Sequence, residues 1–160
     1  MGPKAADILA AAGIAAAVAG TAGVGGLFTS SSVGTWYASL DKPAITPPGW
    51  VFGPVWTVLY ILMGVAAWLV FRRRAASPVG WPLAVFGAHL LLNAGWSALF
   101  FGAQRIDLAL IEIVFLWTGI LATLLLFWRV RLLAGLLMAP YLAWVSFASV
   151  LNFLLWRLNG

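Results

Sequence analysis

Five long apolar stretches, separated by short polar breaks, fill most of this 160-residue chain, and that spacing leaves few folds open. One helix across a bilayer needs about 20 apolar residues. The stretches run over about 7–28, 48–71, 81–101, 106–128 and 132–157. Charged residues make up 8% of the chain and hydrophobic residues 64%, against about 25% charged in a soluble domain. The chain cannot clothe a globule in polar surface. It is read as an all-α integral membrane protein, a bundle of five transmembrane helices forming a single unit over 1–160. Backbone groups in lipid must be satisfied internally, and the stretches lack the alternation of a barrel strand.

The breaks carry the expected punctuation. Residues 29–49 hold Ser, Gly, Asp, Lys and the prolines Pro43, Pro47 and Pro48, which reads as a loop. Arg72, Arg73 and Arg74 close the second stretch, Gly102 to Arg105 forms a tight link, and Arg129 and Arg131 mark the last turn. Asp107 suits a helix N-terminus, and Pro140 is a candidate kink. The first stretch is too long for a signal peptide, and no cleavage site precedes the loop. The net charge of +5 would suggest nucleic acid in a soluble protein. Here the basic residues sit at helix ends, so no nucleic-acid partner is expected. Lys4, Arg72–Arg74, Arg129 and Arg131 outnumber Lys42, Arg105 and Arg157, which places the N-terminus in the cytoplasm and the 29–49 loop outside. The absence of cysteine excludes disulfides and thiolate sites, and no metal site is expected.

Helical geometry turns about 100° per residue, which sorts side chains into faces. On the third helix His89, Asn93, Trp96 and Phe100 share one face. Ala84, Gly87, Ala94, Ala98 and Gly102 form a small-residue ridge on the other. Such ridges let helices approach closely, within the bundle or between two copies, and the motif alone favours neither. Trp56, Tyr60, Met63 and Ala67 share a face of the second helix, and Tyr141, Trp144, Ala148 and Asn152 share one of the fifth. Three aromatic faces that converge would enclose a flat apolar pocket with a few polar tips.

Each tryptophan has a plainer reading, because membranes enrich Trp at their interfaces. Trp50, Trp81, Trp128 and Trp156 lie at the ends of stretches and are assigned to that belt. Trp68 and Trp117 are assigned to packing or lipid. Trp56, Trp96 and Trp144 sit deeper and are assigned to the pocket. Asn93 and Asn152 suit interhelical hydrogen bonds of ~1 kcal/mol as well as they suit ligand contact. His89 has no companions for a metal, so a structural role is expected. Glu112 is an acid inside a stretch, a functional candidate by default, or a side chain snorkelling to the interface.

The segment from Trp36 to Tyr60, WYASLDKPAITPPGWVFGPVWTVLY, combines stiffening prolines with dense aromatics. With NAGWSALFFG from Asn93 and PYLAWVSFASVLNF from Pro140, it resembles the TspO/MBR family of tryptophan-rich sensory and translocator proteins. The three motifs occur in order, and the resemblance spans nearly the whole chain. The resemblance implies a homodimer through Gly87, Ala94, Ala98 and Gly102. It implies binding of porphyrins and other flat hydrophobic molecules under the first loop, by Tyr37, Trp56, Asn93, Trp96 and Trp144. The loop, with Trp36, Pro43, Pro47 and Pro48, is then the lid.

The function so implied is transport or stress-linked regulation around a tetrapyrrole, in a bacterial or archaeal cell membrane. Porphyrin is the ligand and no cofactor is required. An alternative is light-dependent porphyrin degradation using the indoles of Trp56 and Trp144, since no conventional catalytic constellation exists. Another is a helix bundle with no specific ligand. The sterol pattern of animal relatives needs a basic residue near Tyr141, and LAWVSF follows instead, which puts sterol binding in doubt.

Overall fold

A computed structural model describes residues 3–160. Met1 and Gly2 of the expected single unit lie outside the described residues. The chain forms α1 (Pro3–Ser32), a short α2 (Trp36–Ser39), α3 (Gly49–Phe71), α4 (Gly80–Ser97), α5 (Ile106–Val130) and α6 (Leu132–Asn159), with a π-helical turn over Ala98–Gly102 closing α4. No strand occurs among the described residues. Five helices, α4 with its π turn included, are long and apolar enough to cross a membrane. At about 1.5 Å per residue each covers the roughly 30 Å hydrocarbon core.

The long helices close into a ring. Around it α1 packs on α3, α3 on α6, α6 on α5, α5 on α4, and α4 back on α1. Outward-facing Ile61, Leu91, Ile111, Phe115 and Val150 are exposed, as a lipid-facing surface requires. Inside, one end is solid. Met63, Ala66, Ala67, Ile120, Phe127 and Met138 are wholly buried there. At the other end, beneath the α1–α3 connection, Tyr37, Phe100, Phe101, Ile106, Leu151 and Leu155 form a second cluster beside open space.

The connection departs from the expected plain loop. Helix α1 continues to Ser32, because its serines bond back to the chain: Ser30 Oγ donates to the Leu27 carbonyl and Ser31 Oγ to that of Phe28. Hydroxyls satisfied this way cost little at a helix end. Trp36–Ser39 then makes one further helical turn. The strap beyond it is clipped to the far end of the chain. Asp41 N–H donates to Asn159 Oδ1 and Asn159 Nδ2 donates to the Asp41 carbonyl, both at 2.9 Å. Lys42 Nζ ties the strap internally, donating to Ala38 and Leu40 carbonyls.

The π turn was not legible beforehand, and it matters. Widening the last turn of α4 lets two consecutive residues, Phe100 and Phe101, both turn inward and become buried. The Phe101 carbonyl takes a bond of 2.7 Å from Ser32 Oγ of α1. Such turns recur at functional sites.

Candidate functional site

The open space under the connection is a cavity of about 260 Å³. Its walls come from every long helix but α5. Helix α3 contributes Phe52, Trp56 and Tyr60; α4 and its π turn contribute Trp96, Phe100 and Phe101; α6 contributes Trp144, Leu151 and Asn152; and Tyr37 comes from α2. Helix α1 contributes Ala22, Gly25, Gly26 and Thr29, a wall with almost no bulk. The alignment of small α1 residues with large aromatics opposite creates the room.

The aromatics brace one another. Trp56 stacks on Tyr60 with ring centres 5.5 Å apart, and Trp96 stacks on Phe100 at 5.0 Å. Phe52 links the two sides, meeting Tyr37 edge-on at 6.4 Å and Trp144 at 6.1 Å. Edge-to-face and offset pairs of this kind contribute roughly 0.5–1.5 kcal/mol each. The remaining ring faces are free to receive a flat apolar molecule.

The buried polar groups around the cavity are mostly occupied. Tyr60 donates its hydroxyl to Asn93 Oδ1 at 2.7 Å, and Asn93 Nδ2 donates to the Tyr141 hydroxyl at 2.7 Å. That chain bolts α3, α4 and α6 together. Trp96 Nε1 donates to Asn152 Oδ1 at 3.1 Å, and Asn152 Nδ2 donates to the Ile106 carbonyl at 3.1 Å. The Tyr37 hydroxyl is the exception: it is buried and has no partner. Burial pushes the Tyr37 phenol above its ordinary value of 10.0, so it stays protonated and able to donate. Buried polar groups without partners are rare in native proteins and call for an explanation. A ligand acceptor would supply one.

Of the expected binding residues, Tyr37, Trp56, Trp96 and Trp144 are brought together on the wall. Asn93 is not on the wall. It lies behind the wall, 2% exposed, with both amide atoms spent on tyrosines. The expected face was right, but its depth decided the role. In the lid, Trp36 packs edge-on to Phe100 at 5.7 Å and does not line the cavity; its neighbour Tyr37 does. Pro43, Pro47 and Pro48 shape the strap and also stand off the cavity. Phe100 was on the expected face; missed were Phe101, hidden by the π turn, and the α1 wall. A gap in bulk along α1 was visible in its sequence, but nothing indicated where it pointed.

The other candidates also have definite places. His89 is wholly buried, edge-on to Phe86, with Nδ1 3.4 Å from Thr123 Oγ1; it is a packing residue between α4 and α5. Glu112 does not snorkel, since both carboxyl oxygens are buried without partners, and Oε1 lies toward Gly95 of α4. Trp50, Trp81, Trp128 and Trp156 stand exposed at helix ends, and Trp117 donates to Ser146. Along the small-residue ridge, Gly87 faces open space and Ala94 and Ala98 are half-buried. Gly102 is used within the chain: a methyl there would sit 2.7 Å from the Phe28 ring of α1.

Known proteins resemble this chain over most of its length. The family model described as TspO/MBR matches residues 12–157. The chain is 46% identical to a tryptophan-rich protein TspO of Chlorobaculum tepidum, over 84% of this chain and 86% of the relative. It is 40% identical to the protein CrtK of Rhodobacter capsulatus, over 80% and 81%. It is 38% identical to the human translocator protein, over 85% and 82%.

Proposed function

Because the chain belongs to the TspO/MBR family, we propose that its cavity binds porphyrins and related flat hydrophobic molecules, for their transport or for stress-linked regulation. The observation that carries this reading is the set of indoles from three helices, Trp56, Trp96 and Trp144, lining one cavity. Ring faces suit a macrocycle, and the unpaired Tyr37 hydroxyl suits one of its carboxylates. Lys42, 5.2 Å above the Tyr37 ring, adds positive charge at the same end.

The test is a titration of purified protein with protoporphyrin, followed by tryptophan quenching. Trp144→Ala removes an aromatic face and weakens binding about tenfold, the upper end for one aromatic contact; Trp56→Ala does the same. Unchanged affinity in both variants would remove this cavity as the site. Since Trp56 and Trp144 both line it, the same titration under illumination decides the photochemical reading. A product formed faster than from free porphyrin, and lost in Trp56→Phe, makes the protein an enzyme as well; bleaching at the free rate excludes it. For the open Gly87 end of α4 we propose a second copy of the chain. Light scattering that gives one chain per particle at every concentration removes that proposal.

A further inference from the structure

We infer that the ligand reaches the cavity sideways, from the hydrocarbon of the bilayer, through a seam between α1 and α3. This rests on the ligand reading above and names the class of ligand more narrowly: one already dissolved in the membrane, not one captured from water.

A second hollow, of about 450 Å³, lies on the lipid-facing side of these two helices. It shares Ala22, Thr57 and Tyr60 with the cavity, so the two spaces adjoin with only these three residues between them. Its other walls are Ala15, Val18 and Ala19 of α1 and Ile61, Gly64 and Val65 of α3. From Ala15 to Ala22 is about 10 Å at the rise of a helix. That places the hollow along the middle of α1, within the hydrocarbon and away from the headgroups. Small side chains keep it open. At Gly26 and Gly53, beside the join, and at Gly64 within the hollow, an added methyl would meet nothing within 4 Å.

The chemistry of the seam also points to lipid. It holds no charged residue, and its two hydroxyls are already engaged: Thr57 Oγ1 donates to the Gly53 carbonyl at 2.9 Å, and Tyr60 donates to Asn93. Hydrated groups find no partner there, while an apolar ring edge loses nothing. The opposite approach, through the strap, is covered by the 5% exposed Tyr37 and held by the Asp41–Asn159 pair. The enclosed cavity is also at the small end for ligand sites, so a macrocycle seated in it would project into the hollow.

The absence of cysteine allows a clean test. Ala19→Cys, in the hollow but not on the cavity wall, is reconstituted in phospholipid vesicles and then alkylated with a bulky maleimide. Tryptophan quenching by protoporphyrin is followed in time, with the porphyrin delivered either from the same bilayer or from albumin in the water. A path that is obstructed while the site is untouched slows entry and exit alike. The expected result is about tenfold slower association and dissociation from the bilayer, within the range that mutation of one interface spans, with affinity unchanged. Gly64→Trp, which introduces bulk without a reagent, gives the same result. Equal rates in alkylated and untreated protein, or slowing confined to delivery from albumin, overturn the portal and leave the ligand reading standing. No quenching in untreated protein overturns the ligand reading and the portal with it.

Discussion

Asn93→Ala separates two roles that one side chain could play. In the structure Asn93 joins the Tyr60 and Tyr141 hydroxyls through two bonds of 2.7 Å. Tyr141 is 0% exposed, so no water replaces the lost donor. Interhelical hydrogen bonds in membranes average ~0.6 kcal/mol and reach ~1.7, while a buried hydroxyl left unpaired costs ~1–3 kcal/mol. The substitution is therefore expected to destabilise the bundle by about 2–4 kcal/mol, in the absence of any ligand. Equilibrium unfolding in mixed micelles, with SDS as denaturant and tryptophan fluorescence as readout, measures this directly. A double-mutant cycle with Tyr60→Phe is expected to give a coupling of about 1 kcal/mol, and the cycle with Tyr141→Phe a similar value. A stability within about 0.5 kcal/mol of the parent, the range of a surface substitution, combined with lost porphyrin affinity, would refute the reasoning. Asn93 would then be a ligand contact and not a bolt.

Two further substitutions test the packing and the roof. Gly135→Ala drives a methyl to 2.7 Å from Trp128 Cβ and 2.8 Å from its Cα, next to the single-residue link at Arg131; backbone cannot rotate aside, so a loss of about 1–3 kcal/mol is expected in the same unfolding assay. Tyr37→Phe removes a buried hydroxyl that has no partner; stability without ligand holds or rises by up to about 1 kcal/mol, while affinity for a dicarboxylic porphyrin falls and that for its diester does not. A parallel fall for acid and diester would show that the hydroxyl is not the contact.

The bundle could be read from the sequence because a bilayer imposes length and apolarity on each span, and both are written locally. The rim tryptophans could be read for the same reason: Trp50, Trp81, Trp128 and Trp156 follow from position along a span. The pocket was partly legible. A helical wheel assigns a face, and so Trp56, Trp96 and Trp144 were found. It does not assign depth, so it left Asn93 open between bolt and ligand contact, and the family resemblance placed it on a wall it stands behind. It also assumes a uniform helix, which placed Phe100 but hid the inward turn of Phe101 beside it. Helix α1 gave the least warning. Its Ala and Gly residues carry no chemistry of their own, and they matter only for what stands opposite.

The pairing of Asp41 with Asn159 spans 118 positions of chain. The roof of the chamber is thus synthesised early and fastened only after α6 has followed. Until α6 has inserted, the nascent protein has neither the Trp144 wall nor the clasp above it. The chamber is accordingly walled and roofed only once α6 is in place.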